Sequence, residues 1–95
     1  LEGCSWGHAG DGNLHSSFLL DPVDHEMRRR ADAAAQELFV MARELGGTAS
    51  GEHGVGLLKA GQLSAQWAPA AVAAVRAVKG ALDPKGLFNP GKKEP

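Results

Sequence analysis

The sequence predicts an α+β chain: a short β-hairpin near the N-terminus, followed by two main helices. Three observations carry that reading. Apolar and β-prone residues flank the turn signal Gly10-Asp11-Gly12-Asn13. Met27, Ala31, Ala34, Leu38, Met41 and Leu45 recur at spacings of 4, 3, 4, 3 and 4, the period of one helix face. Val72, Val75, Val78 and Leu82 then mark one face of a later stretch.

The elements follow in order. Residues 1–20 read as two short strands around the turn, closed by Asp21-Pro22. With Asp11-Gly12 as the central turn residues, Gly10 faces Asn13, Ala9 faces Leu14 and His8 faces His15; a four-residue loop from Gly10 to Asn13 gives the same pairing. A helix is predicted over 24–45, with Asp24 as N-cap, Glu26 in the first turn and Gly46-Gly47 as the stop. Its methionines, Met27 and Met41, read as core packing. Residues 46–61 hold six glycines and no periodicity, so they read as a loop. A second helix is predicted over about 68–82, with Pro69 tolerated in its first turn. Asp83-Pro84-Lys85-Gly86 suits a type I turn and Asn89-Pro90-Gly91-Lys92 a type II turn.

Composition narrows the function classes. Ninety-five residues, 43% hydrophobic and 22% charged, suit a single small domain with a modest core. A net charge of −1 gives no general attraction to nucleic acid or an anionic membrane. The one basic run, Arg28 to Arg30, would fan around a helix as a solvated face. With Cys4 the sole cysteine no intrachain disulfide forms, which suits a reducing compartment. No apolar run approaches the roughly 20 residues of a membrane span. The chain starts at Leu1 and runs directly into a strand-like stretch, so it reads as a piece of something longer.

Two segments can carry chemistry. In GHAGDGNLH, residues 7–15, the hairpin sets two imidazoles on one face, where they can share a metal ion; cross-strand histidines that bind nothing remain the plain alternative. In GGTASGEHGVG, residues 46–56, Glu52 and His53 lie between Gly51 and Gly54. Neighbours on a strand point to opposite faces, so both can serve one site only where the backbone leaves the strand, as the glycines permit. Two histidines and a carboxylate make a catalytic rather than a structural ligand set. No GxxxxGK[ST] pattern supports a phosphate cradle.

GHAGDGNLH at 7–15, GGTASGEHGVGLLK at 46–59 and LDPKGLFNPGK at 82–92 resemble, in that order and spacing, the C-terminal end of FAD-linked 2-hydroxy-acid oxidases and dehydrogenases. That group includes D-lactate dehydrogenase, the glycolate oxidase flavin subunit and D-2-hydroxyglutarate dehydrogenase, among the vanillyl-alcohol-oxidase-like flavoproteins. The resemblance implies that residues 1–95 are the C-terminal segment of a larger fold, part of its substrate or cap domain. The tail 83–95 would return to a flavin domain that lies upstream and is absent here. It implies His8, His15 and Glu52 as ligands of zinc or manganese, His53 as the base and Asn89 as a contact to FAD. Asn13 and Lys59 would contact the substrate. Asn89 as a turn former and Lys59 as a solvated lysine stand beside those roles.

The implied reaction suits these residue types. Oxidising a 2-hydroxy acid means taking the hydroxyl proton while hydride leaves carbon for the flavin. A metal polarises the hydroxyl, and histidine as a residue type exchanges protons near neutral pH. The implied partners are a small 2-hydroxy acid, the rest of the polypeptide and an electron acceptor that can place this cytoplasmic protein at a membrane periphery. The segment by itself is expected to be inactive and to self-associate through core-facing surface. In the D-2-hydroxyglutarate branch an asparagine follows the second histidine by two positions; Ser17 stands there and argues against that substrate. The rival readings are a metal-dependent hydrolase built on the same His/His/Glu set and a non-catalytic structural module.

Overall fold

The computed structural model describes residues 1–92. Its elements are β1 (Glu2–His8), β2 (Asn13–Leu19), α1 (His25–Glu44), α2 (Ala60–Gln66) and α3 (Pro69–Leu82). They fall into two compact units, Leu1–Leu45 and Gly46–Pro95.

In the first unit β1 and β2 form a two-stranded antiparallel sheet. The loop between them is Ala9-Gly10-Asp11-Gly12 rather than Gly10 to Asn13. The His8 carbonyl accepts from both the Asp11 and Gly12 N–H groups, at 3.3 and 2.9 Å. Gly12 turns left-handed at φ 72°, and the Asp11 carboxylate accepts from the Asn13 N–H at 3.1 Å. The register is therefore His8↔Asn13, Gly7↔Leu14 and Trp6↔His15, two residues away from the pairing expected from the sequence. A slip of two preserves the pleat, so His8 and His15 still share a face.

Helix α1 begins where the sequence places it. The Asp24 side chain accepts from the Met27 N–H at 2.8 Å, satisfying one of the donors a helix leaves unpaired. Glu26 and Arg29 pair one turn apart at 2.7 Å. Gly46 follows the C-cap residue Leu45 at φ 82°, a conformation glycine adopts without penalty. Of the apolar stripe, Ala31 is buried, but Met41 and Leu45 are 53% and 82% exposed. Core packing thus fails for Met41, while Met27 is half-buried and its sulfur accepts from the Asp21 N–H. A periodic stripe specifies which face is apolar; it does not supply the surface that covers it.

The second unit contains a helix the sequence did not announce. Residues 60–66 form α2 instead of ending a loop at 61. AGQLSAQ has an internal glycine and no side-chain cap at Lys59, so local propensity is weak. Its support is tertiary: Leu63 is 5% exposed, and the Gln66 side-chain oxygen accepts from Thr48 Oγ1 and the Ala49 N–H at 2.9 and 3.1 Å. Helix α3 starts at Pro69 as expected. Beyond it, Gly86 donates to the Asp83 carbonyl at 3.0 Å and Lys92 to the Asn89 carbonyl at 3.2 Å. Gly86 and Gly91 both have positive φ, so both expected turns form. Of the tail expected at 83–95, residues 93–95 lie outside the described residues. No helix among the described residues is long and apolar enough to cross a membrane.

Candidate metal and proton-transfer site

The hairpin face that carries the histidines holds four cross-strand pairs, Glu2 with Leu19, Cys4 with Ser17, Trp6 with His15 and His8 with Asn13. His8 and His15 are diagonal neighbours on it, a separation that ring side chains still bridge. Their ring centroids lie 5.6 Å apart with planes 84° to one another, and ligating nitrogens of the two approach within 4.8 Å. A tetrahedral ion would hold such nitrogens roughly 3.3 Å apart, a gap that small side-chain rotations close. Two imidazoles on a solvent-facing strand pair fit a borderline divalent cation. Asn13 lies directly across from His8, so its amide opens onto the same face.

In the second unit, Glu52 and His53 occupy the corner of a turn closed by Gly54 N–H to the Gly51 carbonyl at 3.0 Å. Gly54 takes φ 70°, the departure from strand geometry that neighbouring side chains need in order to share a side. Glu52 Oε1 and His53 Nε2 accordingly lie 3.5 Å apart, with the imidazole 79% exposed. Sequence reasoning missed what holds this loop. Gln66 anchors Thr48 and Ala49 at its start, and Ser50 N–H donates to Thr48 Oγ1 at 3.1 Å. A glutamine in a short, weakly helical stretch carries no local signal of such a role. Lys59 sits at the N-cap of α2, half-buried, its N–H donating to the Val55 carbonyl.

Asn89 lines an open groove of about 850 Å³ together with Val75, Val78, Leu82, Phe88 and Lys92 among others. Its φ of 46° is the one positive value at a non-glycine residue among the described residues, and asparagine is a residue type that tolerates it. The turn that presents it is tied to α3 by Asp83, which is buried. The Asp83 carboxylate accepts from Lys79 Nζ and from the N–H groups of Leu87 and Phe88. The ammonium, then the Phe88 N–H, hold its pKa down at about 2, against the opposing effect of burial. Lys79 also donates to the Phe88 carbonyl at 2.6 Å.

The family model "FAD linked oxidases, C-terminal domain" matches residues 1–93. The chain belongs to that family. The oxidase C-terminal domain is 45% identical over 89 residues to glycolate oxidase subunit GlcD of Bacillus subtilis, covering 94% of this chain and 19% of the relative. It is 41% identical over 86 residues to a probable mitochondrial D-lactate dehydrogenase of Danio rerio, covering 90% and 17%. The Escherichia coli K12 glycolate oxidase subunit GlcD is 42% identical over 88 residues, with 93% and 18% covered. The domain thus spans under a fifth of the length of these relatives.

Proposed function

We propose that this chain supplies the metal ligands and the proton acceptor of a flavoprotein that oxidises a small 2-hydroxy acid, of the D-lactate or glycolate type, to the 2-oxo acid. The observation that carries the reading is the His8–His15 pair, two imidazoles crossed at 84° on one exposed hairpin face. Glu52 is the third ligand, and its donor type completes a His/His/carboxylate set suited to zinc or manganese. When bound, that ion supplies Lewis acidity toward the substrate hydroxyl and carboxylate. FAD, held mainly by the rest of the polypeptide, supplies the hydride acceptor.

The chain's own residues do the rest. His53 takes the hydroxyl proton, and its place beside Glu52 on the turn corner keeps base and ligand within one short segment. Asn13, opposite His8, and Lys59 offer an amide and a cation to the substrate carboxylate. Asn89, held in its positive-φ turn by Asp83, contacts the flavin. The names of the relatives, glycolate oxidase and D-lactate dehydrogenase, support the substrate class. The test uses the full-length protein that carries this chain: metal content and hydroxy-acid-dependent bleaching of the flavin in wild type, His8→Ala and Glu52→Ala. Loss of both metal and bleaching in each variant is expected. Unchanged metal and unchanged bleaching in both would refute the reading.

A further inference from the structure

We propose that Trp6 is a positioning residue for His15, holding its ring plane by stacking; the inference rests on the metal reading above. Trp6 pairs directly with His15 across the hairpin. Their rings are stacked, with centroids 5.7 Å apart and planes 20° from parallel, the offset geometry that aromatic quadrupoles favour. Burial does not account for this tryptophan. It is 55% exposed, and its neighbours on the same hairpin face, Cys4, His8, Asn13 and Ser17, are small or polar, the one large apolar residue there being Leu19 at the far end, itself 61% exposed.

The consequence concerns the torsion that matters most for a histidine ligand. The terminal torsion of an imidazole is broad and roughly two-fold, so a half-exposed ring on a strand sweeps its nitrogens through a wide arc. Metal bonds lie in the ring plane. An indole face laid nearly parallel to that plane leaves the in-plane direction open and blocks the sweep. His8, meeting the same ring edge-on at 84°, fits the other side of the arrangement. Trp6 therefore does for His15 what a hydrogen-bonded outer partner does for many metal-bound histidines, by shape and stacking rather than by a hydrogen bond.

The test compares wild type, Trp6→Phe, Trp6→Leu and Ser16→Ala in the full-length protein, with zinc affinity read by competition against a chromophoric chelator. Ser16 shares a 2.9 Å hydroxyl contact with Ser5 on the opposite hairpin face, so its variant perturbs the hairpin without touching the stack. Expected are binding within about threefold of wild type for Trp6→Phe and Ser16→Ala, and a loss of roughly 10–100-fold for Trp6→Leu. In the metal-free protein the His15 ring protons should resonate upfield, shifted by the indole, and return in Trp6→Leu. Equal zinc affinity in Trp6→Leu overturns the inference and leaves the metal reading intact, as does an equal loss in Ser16→Ala. Should Trp6→Leu not fold, the wild-type ring-proton shifts and Trp6→Phe decide: unshifted His15 protons overturn the inference. A wild type that binds no zinc overturns the metal reading, and this inference with it.

Discussion

Replacing Gly7 by alanine tests the hairpin at its tightest point. A Cβ built on Gly7 would stand 2.2 Å from the Asn13 carbonyl oxygen and 2.9 Å from Leu14 Cδ2. The leucine end can rotate away, but the carbonyl belongs to the partner strand and cannot. Comfortable carbon–oxygen contact needs about 1 Å more, so the strands must part by that amount beside the His8–Asn13 pair. Overpacking of this kind costs about 1–3 kcal/mol, and each kcal/mol lowers the melting temperature of a domain this size by roughly 4–8 °C. Metal sites tolerate only about 0.2 Å in ligand distance, so zinc affinity should fall at least tenfold. Gly10→Ala is the control, since nothing lies within 4 Å of its Cβ position and its change should stay within about 0.5 kcal/mol. The assays are thermal denaturation by circular dichroism and zinc competition. Gly7→Ala that melts and binds like wild type, or Gly10→Ala that suffers equally, would refute the reasoning.

Three further outcomes are expected. His53→Gln should lower hydroxy-acid turnover by roughly 10²–10⁴-fold while zinc content stays at the wild-type level; loss of metal in this variant would make His53 a ligand instead. The Asp83 carboxylate is held at about 2 in the folded chain, below its ordinary 3.8. A lowered folded pKa contributes stability above the unfolded value that is lost as pH falls toward the folded one. The melting temperature should therefore drop between about pH 4 and pH 2 in wild type, and Asp83→Asn should remove that part of the slope. At Asn89, φ 46° makes Asn89→Gly nearly neutral for stability, whereas Asn89→Val should cost roughly 1–2 kcal/mol. Both variants should retain less FAD in the full-length protein, measured by absorbance after gel filtration.

Most elements were legible in the sequence because their causes are local. Asp24 caps α1 through a residue three positions away, Pro69 opens α3, and Gly91 sits where the last turn needs a positive φ. The same holds for the Glu52-His53 corner, whose flanking glycines announced a departure from strand geometry. The gathering of His8 and His15 on one face was equally legible, since the pleat alternates strictly and any even register shift preserves the face.

The partners that act through space were not. Helix α2 depends on burial of Leu63 and on Gln66 reaching back to Thr48 and Ala49, and neither leaves a periodic trace. Asp83 reads as a turn residue until Lys79, Leu87 and Phe88 converge on it. The sequence by itself determined the hairpin, its histidine-bearing face and the boundaries of α1 and α3, because those follow from side-chain period and capping chemistry. The tertiary structure decided the pairing. Closure of the loop on the His8 carbonyl set His8 against Asn13 and stacked Trp6 on His15, a choice between registers two apart that a period of two cannot distinguish.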